Sequence, residues 1–244
     1  MPKHVFFDLD STLTPSRATM LPEHVPFFER LCQERDVVVV TGGAEEQIRK
    51  QIPLSNVGLY YMLSQQGNYA VHKDGTLLWH EKVTAEQEKV VRAFAMKITD
   101  EFAASKNISI PDRNDIFENR GSQFASSVLG FHAPNEQKYT VDPDQSVRRA
   151  LLEKYEVELK KLRDVGIQAM PAGTTTIDFI LAGKHKGYNI TRLLEREGWK
   201  KEDCVYIGDA LFKGGNDEAA IGVVPTHPVK DHNETFEFIK NDLL

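Results

Sequence analysis

Short apolar runs, each ending in a polar or glycine-containing turn, recur near both ends of the chain and give way to a different pattern between them. Val5-Phe6-Phe7, Val37 to Val40, Leu59 to Leu63, Cys204 to Ile207 and Ile221 to Val224 lack polar alternation, as expected of strands covered on both faces. Stretches with helical spacing lie between them: Glu23 to Glu34, Ala44 to Gln51, Lys186 to Glu197 closed by Gly198, and Val229 to Asn241. Tyr69 to His80 reads as a hairpin turning at Lys73-Asp74-Gly75. Strands alternating with helices predict an α/β domain with a parallel sheet. The middle of the chain differs. A long helix is predicted from Thr84 to Ala104 and strands around Arg120-Gly121, at 116–119 and 124–129. A helix from Asp144 to Arg163 and strands at 167–170 and 175–181 follow. Paired strands with helices read as an α+β module, residues 83–182, inserted into a domain made of 1–82 and 183–244.

The remaining composition narrows the class. The 244 residues carry a net charge of -6, which argues against a general nucleic-acid binder. Two distant cysteines, Cys32 and Cys204, indicate no disulfide framework and read as buried thiols. No apolar run reaches the length of a membrane span, and a secretory leader pattern is not seen, so a cytoplasmic setting without membrane partners is expected.

Polar residues sit where the core strands end, and in a parallel sheet those ends share one edge. They are Asp8 and Asp10, then Thr41, Gly42 and Gly43, then Lys186 at a helix start, then Asp209 with Asn216 and Asp217. Asp8 and Asp10 are two apart, so in an extended segment both would face one cleft. A carboxylate can attack phosphorus and carry the group as an aspartyl-phosphate. A second carboxyl can protonate the leaving oxygen and later deprotonate water. Magnesium accepts a few carboxylates beside phosphate oxygens. A lysine supplies a point charge, a threonine a hydrogen bond, and Gly42-Gly43 before a helix can turn backbone N–H groups toward a phosphate.

The ordered set Asp8-Leu9-Asp10-Ser11-Thr12, Thr41, Lys186 and Gly208-Asp209 through Asn216-Asp217 resembles the haloacid dehalogenase (HAD) superfamily, with a cap of the IIB type inserted after the second motif. The segment from Gly208 to Asp217, with paired glycines before the asparagine, is most similar to the HAD-type phosphomannomutases and their phosphatase relatives. The resemblance implies a Rossmannoid core with an inserted α+β cap and a Mg2+ cofactor. It implies that Asp8 is nucleophile and metal ligand, that Asp10 is the general acid/base with its carbonyl on the metal, and that Thr41 and Lys186 hold the phosphoryl group. Asp209 would complete the metal site with support from Asn216 and Asp217, and Arg17, Arg120, Thr176 and Asp178 fall where the mutases hold the sugar phosphate.

Each residue also has a plainer reading. Lys184 rivals Lys186, Asn216 and Asp217 suit a helix cap, Arg120 suits a hairpin turn, and Thr176 and Asp178 suit an ordinary strand face. The chain departs from the mutase pattern at three points. Ser11 replaces the glycine after the second aspartate, and Phe131 and Lys138 stand near two cap arginines of the mutases. Lysine does not reproduce the forked contact of arginine with phosphate. The expectation is therefore a phosphatase acting on a small phosphorylated metabolite, most simply a sugar phosphate, with a hexose-phosphate mutase as the alternative. The resemblance implies a monomer or a homodimer paired through the caps.

Overall fold

The structure is a computed structural model that describes residues 1–244, the side chain of Asn135 excepted. It divides into two compact units, Met1–His80 with Lys184–Leu244, and Glu81–Gly183.

The first unit is built on β1 (His4–Phe7), β2 (Asp36–Val40), β3 (Tyr60–Ser64), β4 (Tyr69–Val71) and β5 (Leu77–His80). After the insertion it is completed by two strands that follow the insert in sequence. In spatial order those later strands, Thr226–Pro228 and Cys204–Gly208, precede β1 in a seven-stranded sheet that continues through β2, β3, β4 and β5. The five strands from Thr226–Pro228 to β3 are parallel, and β4 and β5 close the other side as an antiparallel hairpin. Alternation places Val5 and Phe7 in one apolar cluster and Phe6 in another, so β1 is buried on both faces. Helices α1 (Val25–Glu34) and α2 (Glu45–Gln51) supply Phe28, Leu31 and Ile48 to the first cluster. The helix Lys186–Glu197 covers the opposite face with Ile190, Leu193 and Leu194.

In the second unit, α3 (Ala85–Lys106) opens with a capping box between Thr84 and Gln87. It buries Val91, Phe94, Ile98 and Phe102 at helical spacing. Strands β6 (Phe117–Asn119) and β7 (Gln123–Ser127) follow, then α4 (Asn135–Val141), α5 (Ser146–Lys154) and α6 (Glu156–Asp164), then β8 (Ile167–Ala172) and β9 (Thr176–Leu181). The sheet is antiparallel in the order β6-β7-β9-β8. Phe124, Ile177, Phe179 and Leu181 line its packed face, and Ala125, Ser127, Thr176 and Asp178 lie on the other.

The chain then re-enters the first unit as α7 (Lys186–Glu197), β10 (Cys204–Gly208), β11 (Thr226–Pro228) and α8 (His232–Phe238). Several sequence expectations need correction. Ile221 to Val224 is a turn closed by one bridge, with Ile221 exposed, and the last strand is β11. The terminal helix starts only at His232, because Asp231 caps it by accepting from the amides of Asn233 and Glu234, and it ends in a wider π-type turn at Ile239–Leu243. The single helix expected over 144–163 is two, broken at Tyr155, whose ring packs edge-on against Phe94 of α3. Helix α4 was not anticipated; none of its described side chains is buried, so it leaves no apolar period to read. Among the described residues no helix is long and apolar enough to cross a membrane.

Candidate active site

The strand order places the ends of β10, β1 and β2 side by side, with β1 in the centre. The chain runs from β1 to β2 on one side and returns through β10 on the other, which opens a crevice beyond the carboxyl ends of the strands. Asp8 follows β1, Thr41 follows β2 and Asp209 follows β10.

Asp8 is 2% exposed. Its Oδ1 accepts from Lys186 Nζ at 2.5 Å, and its Oδ2 is buried without a hydrogen-bond partner. Lys186, wholly buried in the first turn of α7, also donates to Asp217 Oδ1 at 2.6 Å. Tyr206 donates its hydroxyl to the same oxygen at 2.6 Å, and Asp217 Oδ2 accepts the Ala210 amide at 3.3 Å. Asp217 thus aims Lys186 at Asp8. A side chain at Gly208 would meet Asp217 Oδ2 at 2.5 Å, so the glycine before Asp209 admits that carboxylate. Asp209 is half-buried, and Thr12 both donates to its Oδ1 at 3.1 Å and accepts from its amide at 3.0 Å.

Asp8, Asp209 and Asp217 offer carboxylate oxygens within 4.8 Å of one another. Three carboxylates face one ammonium, so negative charge exceeds positive when all are ionised. Burial pushes Asp8 well above its ordinary pKa, with Lys186 pulling against it and Asp217 adding to it. Burial also opposes the charge on Lys186, but Asp217 and Asp8 outweigh it and hold the ammonium above its usual range. Burial and Asp217 together raise Asp209. Such a cluster has more negative than positive charge, and the orphaned Asp8 oxygen lacks a partner. A hard divalent cation with oxygen preference fits both deficits.

Asp10 has contacts of its own. Its carboxylate accepts from the Arg17 amide and from the side chains of Gln47 and Gln51, none of which touches Asp8. The chain leaves the strand after Phe7, so Asp8 and Asp10 are not successive same-side positions of one strand, and Ser11, just after Asp10, takes a left-handed φ of 63°. Thr41 is buried and its Oγ1 accepts the Gly43 amide at 3.0 Å, a local turn that begins the glycine pair. Gly42 and Gly43 lie in the segment between β2 and α2. Arg17 reaches the group through its backbone only, and its side chain is exposed, as is Asn216. Lys184, the rival cation, meets the buried amides of Asn68 and Asn189 with its carbonyl.

Arg120, Thr176 and Asp178 belong to the second unit. Arg120 donates through Nε and Nη2 to Glu118 at 3.0 and 2.9 Å. Thr176 Oγ1 donates to the Ala172 carbonyl at 2.6 Å, and Asp178 is buried opposite Ala125 and Met170.

The profile of the haloacid dehalogenase-like hydrolases matches residues 5–218. The chain belongs to this family. Among similar proteins, the phosphomannomutase of Triticum aestivum is 27% identical over 242 residues, covering 98% of this chain and 94% of that protein. Phosphomannomutase 1 of Dictyostelium discoideum is 25% identical over 86% of this chain and 83% of its own. The fold is shared with an N-terminally truncated IMP-nucleotidase of Plasmodium falciparum, at a TM-score of 0.68 and 15% identity over 100% of this chain and 71% of that one. It is shared equally with a haloacid dehalogenase-like hydrolase of Bacteroides thetaiotaomicron, at 0.66 and 15% over 98% and 99%.

For a member of this family, the residues not singled out in the sequence are instructive. Tyr206 sits inside an apolar strand, where a hydroxyl must find a partner; that requirement was the available signal. Gln47 and Gln51, one helical turn apart on α2, face the same way as a pair.

Proposed function

We propose that this haloacid dehalogenase-family enzyme is a Mg2+-dependent phosphatase that hydrolyses a small phosphate monoester, a sugar phosphate in the simplest case, through an aspartyl-phosphate on Asp8. The observation that carries the reading is the buried Asp8 carboxylate, clamped on one oxygen by Lys186 and left unpartnered on the other. Asp8 and Asp209 would hold Mg2+, with the Asp10 carbonyl and with Asp217 behind Lys186. When bound, the ion supplies positive charge that offsets the carboxylates and the phosphoryl oxygens.

Asp8 attacks phosphorus as the ester P–O bond breaks. Asp10 gives its proton to the departing alcohol oxygen and then takes one from the water that releases phosphate from Asp8. Lys186 holds charge on the transferring group, and Thr41 offers a hydroxyl whose oxygen is already fixed by Gly43.

A second reading, hexose-phosphate mutase, is favoured by the phosphomannomutase relatives. Against it stand the partners of two cap cations, Arg120 and Lys138. Arg120 is spent on Glu118 and stacks 5.8 Å from the Phe131 ring, while Lys138 donates to the Phe131 carbonyl at 2.5 Å. A mutase must also grip the far phosphate of a bisphosphate, which favours forked cationic donors. The two free buried thiols suit a reducing, cytoplasmic setting.

The deciding experiment is incubation with hexose phosphates, with and without Mg2+ and a hexose bisphosphate. Phosphate release that requires Mg2+ is expected. Isomerisation of mannose 1-phosphate without phosphate release assigns the mutase, and neither outcome with any ester refutes phosphoryl transfer.

A further inference from the structure

The Asp10 carboxylate is reached by three donors from two segments of the chain. Its Oδ1 accepts the Arg17 amide at 2.6 Å and Gln51 Nε2 at 3.0 Å, and its Oδ2 accepts Gln47 Nε2 at 2.6 Å. A carboxylate offers about four lone-pair sites, two on each oxygen. Oδ1 thus meets two donor nitrogens and Oδ2 one.

The grip is built from several directions. Gln51 is 3% exposed, and its two amide N–H groups are divided among Asp10 Oδ1, Thr14 Oγ1 at 2.8 Å and the Ala18 carbonyl at 3.2 Å. That tie fixes Gln51 to the loop carrying Asp10. Gln47 approaches along a path that a side chain at position 43 would block, since a Cβ on Gly43 would lie 2.1 Å from Gln47 Oε1. The glycine there serves close passage, not an unusual φ.

We infer that Gln47 and Gln51 are positioning residues that leave Asp10 Oδ2, the oxygen with fewer donors, to carry the transferred proton. The inference rests on the phosphatase reading and adds an atom to it. In the first step the Asp8 carboxylate forms its bond to phosphorus, the ester P–O bond breaks, and the proton on Asp10 Oδ2 passes to the alcohol oxygen. In the second, water attacks the phosphorus of the aspartyl-phosphate, its proton returns to Oδ2, and the Asp8 carboxylate leaves. Gln47 shares Oδ2 with the proton and orients it, while Gln51 and the Arg17 amide occupy Oδ1.

The test compares Gln47→Ala with Gln47→Met, which keeps length and packing but has no N–H. Each is assayed on the sugar phosphate that the wild type hydrolyses fastest and on p-nitrophenyl phosphate, whose leaving group departs without a proton. The ratio of kcat/KM for the alkyl ester to that for the aryl ester should fall about ten-fold or more in both variants, a fraction of what general acid catalysis supplies. A ratio within two-fold of wild type, or recovery in Gln47→Met, overturns the inference. Melting of Asp10→Ala, Gln47→Met and the double variant reads the contact without activity. Non-additive shifts are expected, and additive ones sink the inference even if phosphate release is confirmed. Wild type inactive on both esters, with non-additive melting, would refute the phosphatase reading and leave the contact standing.

Discussion

Each unit of the molecule buries charge, and the two do so in opposite ways. In the second unit Arg148 and Asp142 are both fully buried and meet at 2.7 Å. Arg148 Nη1 donates to the carbonyls of Ala172 and Thr176 at 2.8 and 2.6 Å, and its Nη2 to those of Gly173 and Asp142 at 3.4 and 3.5 Å. One cation matches one anion, the remaining donors are used, and the hairpin joining β8 to β9 is tied to the start of α5. In the first unit Lys186 faces Asp8, Asp209 and Asp217, and one carboxylate oxygen has nothing to accept from. A balanced pair is an internal brace. An unbalanced cluster is held together by the fold around it and keeps an unmet attraction for cations. The contrast separates charge that stabilises a structure from charge that the structure tolerates for chemistry.

Replacing one aspartate by asparagine in each unit tests that difference. Asp8→Asn should lower phosphate release by at least about 10³-fold, the loss expected for a nucleophile. In metal-free buffer its urea midpoint should stay level or rise, because burial already works against the charge removed. Asp142→Asn should instead cost about 3–5 kcal/mol in urea unfolding, since Arg148 is left buried without its partner. Equal destabilisation by the two changes would break the comparison.

A smaller effect is expected at Ser11, which holds a φ of 63° beside the site. Ser11→Gly should raise unfolding free energy by up to about 1 kcal/mol, the relief of a left-handed non-glycine residue less the added chain entropy. Calorimetry showing a clear loss would mean that the serine side chain holds the turn.

The smallest effect concerns pH. His24 is 5% exposed, stacked 4.0 Å from Phe236 and faced by His232, with Glu23 and Lys240 nearby. Burial, then His232, lowers its pKa from 6.5. Its contribution to stability is therefore complete above 6.5 and is lost as pH falls through the lower folded value. His4 and His185, in the same unit, are lowered by burial too. Melting temperature should drop between pH 7 and 5, and His24→Phe, which keeps the stack, should flatten part of that slope. An unchanged slope in His24→Phe would remove His24 from the explanation.

Legibility in the sequence followed the kind of force at work. The strands of the first unit were readable because burial on both faces leaves runs such as Val37 to Val40 with no polar interruption. Long-range order was readable too: Asp8, Lys186, Asp209 and Asp217, far apart in the chain, are gathered at one edge of the sheet. What could not be read was direction. Asp10 accepts from Gln47 and Gln51 on α2, a long-range contact that the spacing of Asp8 and Asp10 does not record. Arg17 was singled out for its guanidinium, yet its amide makes the contact. Tyr155 broke a helix through its packing on α3, a tertiary event that local periodicity does not record.

Strand β1 lies between β2 and β10, yet β10 begins 200 residues after His4. At a ribosomal pace of about 5–20 residues per second, the first strand waits on the order of 10–40 s for its second neighbour. During that interval one edge of Val5-Phe6-Phe7 has unpaired backbone groups, and the lysine opposite Asp8 has not been made. The nascent amino-terminal segment is thus an open sheet edge, a natural client for a holdase chaperone. Moving β10 and α7 ahead of β1 by circular permutation should shorten that exposure and raise soluble yield.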